Sequence, residues 1–362
     1  MNFRPTFTPI ASALLLASLS ISAQAQSNVT VFGVMDGAVR QTSNTGVATN
    51  RSVTSGGNST SRLGFRGTED LGGGLAASFH LEHGLALDSG SAASSTQFWD
   101  RRATVSLSSK TLGEVRLGRD FVPTYVNWGR YDPFSYVGVA SASILVANSQ
   151  TGPIRAAFST NPNTTVRANS GVQYLLPNNL GGLEGGVMLA PSGGGTIASG
   201  ANKVLGARLG WANKTFGVAA AATTTENSLT TVGKFKDVNV GGFYDFSVVR
   251  LTAAWRRFDY DTSSQTNWLV GATMPLGSGT LKFSWNQASL DGKVGATTLP
   301  DNGARVLGLG YVYDFSKRTA AYATVSQVSN DSKSTFVAPG GTSGMAAGGS
   351  SRGLEFGVRH NF

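Results

Sequence analysis

The chain has 362 residues, 29 Lys and Arg against 20 Asp and Glu, a formal charge of +9 and no cysteine. A mean hydropathy of −0.04 leaves no apolar stretch after the N-terminus long enough for a membrane helix, and the lack of cysteine excludes a disulfide framework. A pI near 9.9 admits nucleic acid, an acidic surface or an anionic solute as partner, and the placement of the charges must choose among these.

Residues 1–25 read as a cleavable secretory signal. Arg4 is followed by an apolar run from Ile10 through Leu14, Leu15, Leu16 and Leu19 to Ile21, then by Ala23, Gln24 and Ala25, the small-x-small pattern of a cleavage site. Ser12, Ser18 and Ser20 interrupt the run, which is too short to span a bilayer. Cleavage leaves a single domain, residues 26–362, with a formal charge of +8.

From there the recurring unit is about ten residues of alternating polarity ended by Gly, Asn, Asp or Pro, the signal of a transmembrane strand. Leu281, Phe283 and Trp285 share one face, and Lys282, Ser284 and Asn286 the other. Leu205, Ala207, Leu209 and Trp211 alternate with Gly206, Arg208 and Gly210. Val249, Leu251, Ala253 and Trp255 alternate with Arg250, Thr252, Ala254 and Arg256. Aromatic residues close these apolar faces at Trp211, Trp255, Trp285, Tyr313 and Phe315, where a membrane interface needs them.

Tight connections at 68–74, 109–112, 177–182, 213–214, 245–247, 275–278 and 314–318 alternate with longer polar segments at 41–59, 86–97, 121–165, 191–202, 226–236, 291–303 and 331–352. This predicts an all-β fold: a transmembrane antiparallel β-barrel of about sixteen strands, with short periplasmic turns and long outer loops. The glycine-rich stretches near Gly193 and Gly340 read as loop tips.

Several segments, in order, resemble the Gram-negative general porins, in particular the anion-selective trimeric porins. Residues 29–36 (VTVFGVMD) are similar to that family's opening strand, and 61–75 (SRLGFRGTEDLGGGL) to its second strand, first turn and third strand. Residues 101–108 (RRATVSLS) and 113–120 (GEVRLGRD) resemble strands four and five, and 354–362 (LEFGVRHNF) the closing strand. His360 departs from the family, where an aromatic or apolar residue is commoner.

The resemblance implies an outer-membrane homotrimer passing small hydrophilic solutes, neutral or anionic. It also implies a long third loop, here 121–165, folded into the lumen as a constriction. Segment 121–165 shows no evident regular structure, and such length itself suggests a function. Carried over residue by residue, Arg62, one of Arg101 and Arg102, and Arg167 resemble the family's constriction arginines, and Asp132 an acid of its constriction loop. Phe356, Val358 and Phe362 resemble its assembly signal, which implies the barrel-assembly machinery as a partner during biogenesis.

Parity assigns the wet face, because Arg or Lys facing lipid at mid-depth costs roughly 2–4 kcal/mol. Arg62 and Arg66 fall inward opposite Leu63 and Phe65, and Arg102 opposite Ala103, Val105 and Leu107, which favours Arg102 over Arg101. Arg167 falls inward if Val172 and Tyr174 face lipid. Arg116, Arg208, Arg250, Arg256 and Lys282 also fall inward, as ordinary charges of a wet wall, with Asp36, Glu82 and Glu355 as candidate inner acids. Arg119 shares a face with Val115 and Leu117, so it sits at a rim or at a contact between subunits.

Other classes fare worse. His80, His83 and His360 are the only histidines, no nucleophile motif accompanies them, and no spaced ligand cluster suggests a metal. We expect no enzyme activity, no cofactor and no nucleic-acid partner. A channel specific for phosphate or organic anions is the nearer alternative; a sugar channel would need an aromatic slide along the lumen, and a structural barrel would need a plug.

Overall fold

A computed structural model describes residues 28–147, 150–160, 165–191 and 202–362; the expected signal segment, 1–25, lies outside the described residues. The first half of the sheet contains β1 (Asn28–Asn44), β2 (Asn50–Ser55), β3 (Arg62–Gly72), β4 (Leu75–Ala86), β5 (Ser91–Ala92), β6 (Arg102–Ser109), β7 (Gly113–Phe121), β8 (Arg167–Leu175) and β9 (Leu183–Ala190). The second contains β10 (Lys203–Ala212), β11 (Phe216–Glu226), β12 (Phe235–Asp245), β13 (Arg250–Tyr260), β14 (Ser263–Leu276) and β15 (Gly279–Val294). It continues with β16 (Thr297–Thr298), β17 (Ala304–Asp314), β18 (Thr319–Asn330) and β19 (Ser350–Asn361).

Apart from the short β2, β5 and β16, these strands form the wall, each antiparallel to its neighbours in chain order. β1 closes on β19 from Val34↔Asn361 to Asn44↔Ser351, so the sheet has no free edge. This is the sixteen-stranded barrel that the alternation predicts. β2 prolongs the wall beside the upper half of β1, pairing Gly37 with Ser55 through Thr42 with Asn50, while β3 pairs with the lower half.

The outward face carries the apolar halves of the alternation. Leu205 and Leu209 are each 58% exposed, and Val218, Phe356 and Val358 are also exposed, as side chains covered by lipid must be in an isolated barrel. Trp211 packs on Phe216, Tyr244 on Phe246 and Tyr313 on Phe315 at the short-turn end, forming one aromatic girdle. Trp255 pairs across to Trp268, and above them the outward residues turn polar.

Segment 121–165, read from sequence as lacking regular structure, contains three short helices among its described residues: α1 (Pro123–Gly129), α2 (Ile144–Ala147) and α3 (Pro153–Phe158). It folds inward and lines the wall from β9 round to β19. Inward glycines make the space. A Cβ on Gly206 would come within 3.1 Å of Pro123, on Gly241 within 2.3 Å of the Tyr131 ring, on Gly271 within 2.4 Å of Pro133, and on Gly308 within 2.4 Å of Ala140. Apolar contacts fasten the rest: Ile144 and Leu145 pack with Leu290, Leu299 and Val306, and Phe158 packs with Phe235 and Phe258.

Candidate pore constriction

Because the inward loop covers the wall from β9 to β19, the open lumen runs along β3 to β8. The inward side chains of that uncovered wall are mostly charged or hydroxylic, as water contact permits. Near the top, Glu82 of β4 receives Arg62 at 3.7 Å and a close contact from Arg101. Arg167 lays its guanidinium 4.5 Å from the centre of the Phe121 ring and donates Nε to the Arg101 carbonyl at 2.8 Å. Arg101 and Tyr125 of α1 lie within electrostatic reach of both Arg62 and Arg167. Arg62 and Arg101 therefore share one carboxylate, and Arg167 stands beside them with no ion pair among the described residues.

One step down the wall the charges balance. Asp120 binds Arg102 at 3.1 Å and Arg116 at 2.7 Å, and Arg116 also holds Glu114 at 2.8 Å. Arg66 stands 5.1 Å from the Phe32 ring centre and meets no carboxylate among the described residues. His80 lies 3.3 Å from Glu82 and 3.5 Å from Arg102. Arg62, Arg66, Arg101, Arg102, Arg116 and Arg167 thus outnumber Glu82, Glu114 and Asp120 on the open wall.

Several placements differ from the parity reading. The structure puts Arg101, not Arg102, beside Arg62 and Arg167, because Arg101 precedes β6 and is free of its alternation, while Arg102 is drawn to Asp120. Arg167 does not reach the cluster by strand parity. The β7–β8 register slips at Gly118 and Asp120, where Ser170 adopts φ 53°, and this sets Arg167 opposite Phe121 at the strand end.

Asp132 is 4% exposed and faces no open water. Its carboxylate accepts the amides of Phe134, Tyr136 and Ala142 at 2.9–3.0 Å, so it shapes the loop from within. Burial pushes its pKa up, against the three amide bonds that pull it down.

Of the other expected wet-wall cations, Arg208, Arg256 and Lys282 meet the loop, and Arg250 stacks on the wall. Arg256 is fully buried in a bidentate pair with Asp237 at 2.7 and 2.9 Å. Arg208 binds Glu184 at 2.7 Å and Asn127 of α1 at 3.1 Å. Arg250 stacks 3.6 Å from the Phe243 ring centre, and Lys282 reaches Asn58 at 3.4 Å. The inner acids Asp36 and Glu355 are both 0% exposed; Asp36 holds backbone amides, and Glu355 is paired with Arg40 at 2.8 Å.

Arg119 keeps its outward parity. It donates to the Asp100 carbonyl at 2.7 Å and to Asn169 at 2.6 Å, close to Phe98, Trp99 and His83 on the outer surface. Phe356 and Val358 lie on the lipid face, and Phe362 sits at the seam, where it exchanges two backbone hydrogen bonds of 3.1 Å with Gly33.

A closed barrel narrowed from within by its third long loop, with a basic open wall, is the architecture of a diffusion channel, and residues 11–333 match the family described as Gram-negative porin. The chain belongs to the Gram-negative porin family. It is therefore an outer-membrane β-barrel channel. It is 34% identical to outer membrane porin protein 32 of Delftia acidovorans, over 97% of this chain and 98% of that one. It is 28% identical to an outer membrane porin protein of Bordetella pertussis, over 91% and 97% of the two chains. Among solved structures it superimposes on an anion-selective porin from Comamonas acidovorans with a TM-score of 0.78 and 31% identity, covering 93% of this chain and all of that one. Salmonella typhi OmpF, at 17% identity, shares the fold with a TM-score of 0.63.

Proposed function

We propose that this porin is a general diffusion channel that favours small anions. The observation that carries the reading is the unequal pairing at the constriction, where Arg62 and Arg101 share Glu82 and Arg167, bonded to the Arg101 carbonyl, has no ion pair among the described residues. Fixed cations in a narrow, low-dielectric passage concentrate anions and repel cations before any binding occurs. Arginine keeps its charge at any ordinary pH and presents a planar fork to carboxylate or phosphate. The balanced set around Asp120 extends a polar path below the constriction and adds little net field. The similarity to the anion-selective porin from Comamonas acidovorans, over the whole length of that chain, supports the same reading.

A homotrimer follows from the family resemblance. The outward cluster of Arg119, Asn169, Phe98 and Trp99 supports it, since it interrupts an otherwise apolar lipid face. Lipid would cover the remaining outer belt. Planar-bilayer recording in a KCl gradient tests the function: the reversal potential should lie on the chloride side, and a potential on the potassium side would reject the reading.

A further inference from the structure

Between β2 and β3 the chain leaves the wall. Gly56 turns with φ 78°, and residues 57–59 pass on the lumen side of β1, where Asp36 waits on the inward face. The Asp36 carboxylate accepts the Gly57 amide at 3.2 Å, the Asn58 amide at 3.1 Å and the Ser59 amide at 2.6 Å, and the Tyr322 hydroxyl of β18 donates to it as well. The Asp36 backbone also binds Gly56 at 2.8 Å and the Ser61 hydroxyl at 3.0 Å. An unexposed carboxylate is tolerable only with such a full set of donors.

What this segment touches is functional. Thr60 offers its carbonyl to Arg62 Nη1 at 3.0 Å, with the Ser59 hydroxyl at 3.4 Å, and Asn58 receives Lys282 from β15. Its other side meets the tip of the inward loop: a Cβ on Gly138 would stand 2.1 Å from the Gly57 carbonyl. The next residue, Val139, donates its amide to Glu355 at 3.2 Å, and Glu355 is held by Arg40 at 2.8 Å. Residues 56–60 thus form a second inward element, joined to the tip of the first.

We propose that Asp36 is a positioning residue for the pore: through residues 56–60 it fixes the Arg62 guanidinium and extends the constriction from the tip of the long loop. The selectivity half of this rests on the anion-favouring reading above; the width half does not. Asp36 touches no solute. An Asn there would turn an amide group toward backbone amides that need an acceptor, and Tyr322→Phe would remove one donor while leaving the ring in place.

The test is single-channel recording of purified Asp36→Asn and Tyr322→Phe, with assembly checked by heat-dependent gel migration. In both, conductance should rise, and the chloride-over-potassium permeability ratio should fall, by about twofold in Asp36→Asn, as Arg62 loses its fixed place in the field. Swelling of proteoliposomes in larger neutral sugars should speed up. If Asp36→Asn does not assemble, Tyr322→Phe decides alone by the same criteria. Assembled variants with wild-type conductance and sugar cut-off would overturn the proposal. A wild-type channel without anion preference would reject the functional reading instead, and the conductance and sugar arms would still judge the constriction.

Discussion

Arg167 donates Nε to the backbone carbonyl of Arg101 at 2.8 Å, and this bond ties the end of β8 to the residue that precedes β6. The two guanidinium groups are thereby held near one another, and of the two only Arg101 reaches a carboxylate, Glu82, which it shares with Arg62. Arg101→Gln should therefore lower anion preference more than Arg102→Gln. Arg102 is matched by Asp120, so its removal leaves Arg116 still paired. Reversal potentials of the two variants in the same KCl gradient give the comparison; equal shifts would contradict the charge pairing described here.

The barrel seam predicts a cost in assembly. The Phe362 ring lies over Gly33, where a Cβ would come within 2.3 Å of it and within 2.7 Å of the Arg62 carbonyl. Phe362→Ala should reduce the yield of heat-modifiable barrel in the outer membrane, and Gly33→Ala should reduce it further because backbone cannot move aside. Unchanged yield in both variants would show that the seam tolerates misfit.

Asp132→Ala should loosen the inward loop. It leaves the amides of Phe134, Tyr136 and Ala142 without their acceptor, at about 1–3 kcal/mol for each that stays buried and unsatisfied. The expected readout is an open channel with more frequent current fluctuations and a lower thermal midpoint. Asp132→Asn, which keeps one acceptor, should fall between. A quiet channel of wild-type stability would mean that the loop's apolar contacts hold it unaided.

Much of this was legible in the sequence because strand alternation reports directly on a wall with lipid on one side. Leu205 to Trp211 and Leu281 to Asn286 stand in the barrel as their polarity implies. The constriction was harder to read. Parity chose Arg102, but Arg101 lies outside the strand, where alternation has no force. The β8 bulge moved Arg167 out of phase, and a bulge leaves no mark in polarity. Arg256 and Asp132 looked like wet charges because nothing local says that the loop covers them. One usable signal was present: the inward glycines at 206, 241, 271 and 308 mark where another part of the chain comes close.

The most direct test is the triple variant in which Arg62, Arg101 and Arg167 are all glutamine, recorded beside the wild type in dilute and in concentrated KCl. The Debye length is about 30 Å at 0.01 M and about 3 Å at 1 M, so fixed charge reaches the pore axis only in the dilute case. The wild type should prefer chloride strongly in dilute salt and weakly in concentrated salt. The assembled triple variant should lose that preference and its salt dependence together. A triple variant with the wild-type reversal potential in dilute KCl would contradict the assignment of selectivity to these three arginines.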